Sequence, residues 1–194
     1  MKSVFVAAIM VLSTSVSGAG ASDQASASYA GWQVRDIKSL SNADIKELSN
    51  GGGWGFALTA ELNGWPGPRH LLEHRAALEL TEDQVQRIET IFQAMRAEAI
   101  EAGKRFIAAE AQLSDAFAGR DLDPDRLWDL VSAAAKARAA LRHTHLSRHL
   151  EVTVLLTPRQ IERYSIIRGY AAGRCDAVPE GHDPDMWRRH HQCD

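Results

Sequence analysis

Cysteine is nearly missing from this chain. Of 194 residues only Cys175 and Cys193 carry thiols, so neither a disulfide-built scaffold nor a four-cysteine zinc site can hold it together. A core of packed apolar side chains must do so, and the length suits one domain with such a core. An excess of positive charge is missing too. The net charge is −3 and no basic cluster stands out, which argues against a general nucleic-acid binder or a binder of anionic membranes. Past the first residues no apolar run could span a bilayer, so no stable membrane insertion is expected. There is no HExxH, no GxSxG and no glycine-rich loop of phosphate-binding form. These absences leave little basis for an enzyme, and a non-catalytic role is expected. No stretch shows a convincing strand pattern either, which points to an all-α fold.

What is present is uneven. The opening MKSVFVAAIMVLSTSVSGAGA has Lys2, an apolar run over 4–12 and an A-x-A close at Ala19-Gly20-Ala21. That pattern predicts a signal peptide over 1–21 and a periplasmic mature protein. In an oxidising compartment Cys175 and Cys193 would pair, tying down the tail 171–194; binding of a soft metal by the tail's Cys and His is the alternative. Five tryptophans occur, and Trp32, Trp54 and Trp65 fall in a segment, 22–65, that reads as a partly helical N-terminal arm. Its Gly51-Gly52-Gly53 has the look of a hinge.

One pentad is written twice. LTEDQ spans 80–84 and LTPRQ spans 156–160. Thr followed three places on by Gln is a capping box: the Thr hydroxyl takes the Gln backbone N–H, and the Gln amide reaches back to the Thr N–H. The leading leucine can staple onto the residue after the box. Leu80, Thr81 and Gln84, and Leu156, Thr157 and Gln160, therefore mark two helix starts. Ser41 and Asp123 mark two more, the second with Pro124 at the first helical position. After Leu80, apolar residues from Val85 through Phe92, Met95 and Phe106 to Ala116 step by three and four along one long seam. Gly103 interrupts its composition. A turn at 119–121 precedes a second long seam through Leu127, Ala134 and Leu141. The prediction is a long antiparallel hairpin with shorter flanking helices, a four-helix arrangement occupying 66–170.

Histidines break the second seam. His145 and His149 stand where Leu or Ala is expected, four apart and so on one face. His70 and His74 repeat the spacing on the short helix before the first pentad. Two such pairs in one small bundle can converge on zinc, nickel, cobalt or copper, with Glu89 and Met95 as further candidate ligands. Glu73 and Glu98 also qualify.

The leader, the two LTxxQ pentads and the hairpin between them resemble the Spy/CpxP family of small periplasmic helical proteins, which includes heavy-metal sensors and resistance proteins. The resemblance covers roughly 66–170. It implies a hairpin fold dimerised into a curved cradle. In chaperone members the cradle holds unfolded client proteins; Phe92, Phe106, Trp128 and Leu141 are the residues here that could offer apolar contacts. In sensor members a first-helix HxxxH, matched by His70 and His74, joins ligands on the long helices, near His145 and His149, and an envelope signalling protein reads the result. The acidic ligand of those sensors falls near Phe92 here. The expectation is thus a periplasmic homodimer that binds clients, a transition metal or both, the alternative being a metal sensor or resistance module without chaperone action.

Overall fold

The computed structural model describes residues 28–120, 122–171, 178 and 183–190. The expected leader, Cys175 and Cys193, His191 and the side chain of His190 lie outside these. The chain divides into two units, 1–33 and 34–194. In the first, the Trp32 N–H donates to the Tyr29 carbonyl at 3.0 Å and the two rings meet at 5.2 Å.

The second unit is helical, and no strand occurs among the described residues. Its helices are α1 (Asn42–Ser49), α2 (Leu58–Glu61), α3 (Pro68–Glu73), α4 (Glu82–Gly119), α5 (Pro124–Thr153), α6 (Pro158–Ile167) and α7 (Pro184–His190). All four marked starts are found. Ser41, Thr81 and Thr157 close full capping boxes, and Asp123 accepts the Arg126 N–H. Helices α4 and α5 pack along each other as the long hairpin. At the turn the left-handed cap is Arg120, with φ 55°, while Gly119 stays in the helix.

The repeated pentad has a tertiary reason. The hairpin returns the second helix start to the first, and the two box glutamines bind each other. Gln84 Nε2 donates to Gln160 Oε1, and Gln160 Nε2 to Gln84 Oε1, both at 3.0 Å. Each amide oxygen also accepts its own threonine N–H at 2.9 Å, and Gln84 Nε2 donates to the Leu155 carbonyl at 2.7 Å. Two caps thus close into one part-buried network that pins α6 beside the base of α4.

Two apolar clusters make the core. Ile88, Val152 and Tyr164 join Leu71 and Leu78 at the pentad end. The other holds Ala99, Ala102, Phe106 and Leu141 from the hairpin with Ile37, Leu40, Leu48 and Phe56. The segment read as an arm therefore supplies half of a core cluster. It lies so close to α4 that glycine is needed. A Cβ on Gly103 would stand 2.5 Å from the Leu48 carbonyl oxygen, and one on Gly51 would stand 2.9 Å from the Arg96 carbonyl oxygen. The interruption at Gly103 is a docking point for α1, and Gly51 is packed tight rather than hinged. Trp54 covers this cluster: its indole N–H donates to Asp44 Oδ1 at 2.7 Å, and its ring lies 5.7 Å from that of Phe106.

Candidate functional site

A cavity of about 620 Å³ opens between the hairpin and the strap of chain from residue 47 to residue 70. From α4 come Phe92, Met95 and Arg96; from α5 come His145 and His149. The strap contributes Glu47, the Gly51–Gly53 stretch, Glu61, Gly67 and His70 among others. Three of the four expected histidine ligands and Met95 therefore share one space. His74 does not line it. Helix α3 ends at Glu73 and His74 is its C-cap, with its backbone N–H still bonded to the His70 carbonyl at 3.0 Å. Glu89 lines a separate surface depression with Arg75, Leu80 and Val85. Glu73 and Glu98 are bound to Arg69 and Arg148 at 2.9 and 2.6 Å.

Two of the three cavity histidines are held through Nδ1, and the third faces the Gly52 backbone. His149 Nδ1 lies 2.8 Å from the Trp65 carbonyl, which can only accept, so the proton sits on Nδ1 and Nε2 carries the lone pair. His145 lies against the Gly52 backbone, and its Nε2 is buried with no partner. His70 Nδ1 lies 3.0 Å from Glu61 Oε1. Anchoring one ring nitrogen on a carbonyl or carboxylate and leaving the other free is how metal-ligating histidines are oriented. Both anchors, and the backbone that His145 faces, come from residues 52–65.

Glu61 is the residue that the sequence reading passed over. It is only 6% exposed, and both carboxylate oxygens are used: Oε1 by His70, Oε2 by the Tyr164 hydroxyl at 2.6 Å. Burial pushes its carboxyl up. The bonds from His70 and Tyr164 outweigh that, and the net position is below the usual glutamate range. Tyr164 shifts the other way, well above a free phenol, through burial and then the Glu61 charge. Burial, then the neighbouring His149, pushes His145 below the usual histidine value. Gly67 is the floor of the cradle. Its φ of −94° suits any residue, but a Cβ there would come within 2.8 Å of both Glu61 Oε1 and His149 Cε1. The glycine is there for room, between buried Pro66 and Pro68.

The profile of the heavy-metal resistance family matches residues 52–163. The chain belongs to that family. The matched span starts at the residue whose backbone holds His145 and ends one short of Tyr164. Comparisons with curated proteins and with solved structures return no match.

The donor chemistry fits a transition metal: a buried, unpartnered imidazole nitrogen, a second imidazole four residues on, and a thioether. A closed cage is not formed. Among the described residues no three His, Cys, Asp or Glu side chains group closely enough to hold one ion. The fit is to a site built on His145 and His149. As for apolar contacts to a client, Phe106 and Leu141 are buried, Phe92 walls the cavity, and Trp128 is 71% exposed. No helix among the described residues is long and apolar enough to cross a membrane.

Proposed function

We propose that this chain is an exported, non-catalytic metal-binding protein of the Spy/CpxP kind, taking a transition-metal cation between its strap and its hairpin. The observation that carries the reading is three imidazoles on one cavity, His149 and His70 anchored at Nδ1 by the strap and His145 with a buried, unpartnered Nε2. Family membership supports it. His145 and His149 would be the primary ligands, with His70 the third imidazole on the same cavity.

Function follows from the anchors. The carbonyls of Gly52 and Trp65 and the carboxylate of Glu61 belong to the strap, so an ion drawing on Nε2 stiffens residues 52–70 as well as α5. A bound ion would supply positive charge, while the chain supplies oriented imidazoles and the apolar wall of Phe92, Met95 and Pro68. A differential affinity of this kind shifts the strap between two settings, and an envelope partner reads the change. The hairpin's exposed length supports a homodimer. Most of the apolar residues suited to holding clients are spent on core or cavity wall, so the reading rests on metal.

Calorimetric titration with zinc, nickel, cobalt and copper tests this directly. The parent chain is expected to bind at least one of them, His145→Ala/His149→Ala to lose at least about tenfold in affinity, and His70→Ala to lose less. Equal binding by the double variant would remove the site.

A further inference from the structure

We infer that the cavity selects cuprous copper, held by His145, His149 and the thioether of Met95. This rests on the metal-binding reading above and names its ion.

The first argument is which donors remain free. Two carboxylates line the cavity, and both are engaged: Glu61 with His70 and Tyr164, Glu47 with the Trp54 backbone N–H at 2.8 Å. Three of those four oxygens are thus occupied, and the cavity's remaining donors are mainly soft ones: the imidazoles of His145 and His149, with His70 beside them, and the sulfur of Met95. Thioether sulfur selects Cu(I) over zinc, nickel and cobalt, which gain from oxygen or additional nitrogen ligands.

The second argument is ligand number. Structural zinc asks for four protein ligands, yet among the described residues no three His, Cys, Asp or Glu side chains group together. Cu(I), a closed-shell ion without directional demands, is satisfied by two or three ligands. The third is charge. Arg69 and Arg96 also line the cavity, setting two guanidinium cations against the two carboxylates there. A monovalent ion beside buried Met95 and the Phe92 and Pro68 walls carries the smaller desolvation cost.

The test is an anaerobic titration of the full chain with Cu(I) against a chromogenic Cu(I) chelator, and with Zn(II) in parallel. X-ray absorption of the copper-loaded, selenomethionine-labelled chain reads the ligands without any substitution. Expected are one tightly bound Cu(I) per chain and a copper–selenium scattering path. Met95→Leu, which conserves volume, should lower Cu(I) affinity about tenfold or more while leaving zinc affinity within about twofold. No copper–selenium path, or zinc held as tightly as Cu(I), overturns the copper assignment and leaves the metal-binding reading standing. Binding of neither ion ends both.

Discussion

Replacing Gly103 by alanine should destabilise the protein, against the ordinary preference of helices. In an exposed helix interior that change gains about 1 kcal/mol. Gly103 is buried in α4, and the new Cβ would stand 2.5 Å from the Leu48 carbonyl oxygen and 3.1 Å from its carbon. Real Cβ atoms do not approach backbone that closely. The obstacle is the end of α1, not the flexible tip of a side chain, so α1 must back away from α4. Leu48, Ala99, Ala102 and Phe106, all buried in that cluster, lose close contact as it does. Overpacking of this sort costs about 1–3 kcal/mol. Set against the propensity gain, a net loss of about 1 kcal/mol is expected, with about 2 as the upper end. For a chain of this size that lowers the melting temperature by about 2–4 °C per kcal/mol. Thermal and urea unfolding followed by helical circular dichroism would measure it. Gly119→Ala is the control. It lies in the same helix, a Cβ there meets nothing within 4 Å, and it should be neutral or stabilising. If Gly103→Ala melts at or above the parent temperature, α1 does not sit on α4 as described.

Other consequences are as direct. Gln84→Leu and Gln160→Leu should each cost about 1–2 kcal/mol, since each leaves the partner amide without its mate. In a double-mutant cycle the pair should couple by at least about 0.5 kcal/mol, and strict additivity would show that the amides act separately. Tyr164→Phe removes the 2.6 Å donor to buried Glu61 with little change of volume. A loss of about 1–3 kcal/mol is expected, and an unchanged melt would mean that Glu61 does not depend on Tyr164. Asp44 is held below its ordinary 3.8 by the Ser41 side chain, then by the Trp54 indole. The ionised form is the one that the fold favours, so its stabilisation is complete above 3.8 and fades as pH falls below that value. Asp44→Asn should be the less stable protein at neutral pH and approach the parent in acid; a gap constant from pH 5 to pH 2 would contradict this.

The elements most legible from sequence were those specified locally. A capping box is written within four residues, and the three full boxes form because each end needs only its own neighbours. The seams of α4 and α5 were legible because helical period carries burial with it. What sequence did not disclose depended on chain segments far apart. Gly103 reads as a weak spot until Leu48 is known to lie over it. Pro66-Gly67-Pro68 reads as a helix start until Glu61 and His149 are found on either side of the glycine. Glu61 itself looks like one more polar residue in a tryptophan-rich stretch. The available signal was a single acid in an otherwise uncharged run, 48–68, next to a family of orphaned histidines. His70 lines the cavity and His74 does not, because α3 is only six residues long and His74 falls on its cap; periodicity says nothing of where a short helix stops.

The pentads and the site turn out to be one construction. A second pentad placed anywhere else would still cap a helix; placed where the hairpin returns, its glutamine meets the first one. That contact fixes where α6 begins. Tyr164 sits one turn past Gln160, so the same contact delivers its hydroxyl to Glu61, and Glu61 in turn holds Nδ1 of His70. Disturbing Gln160 should therefore be felt at His70 through two hydrogen bonds, with no residue of the cavity altered. The histidine ring resonances by NMR would register it: a Gln160→Leu chain that stays folded but moves His70 and leaves His145 in place follows this route. If His145 moves as much as His70, the disturbance is spreading through the hairpin itself, and the ladder from cap to carboxylate is not what orients the ring.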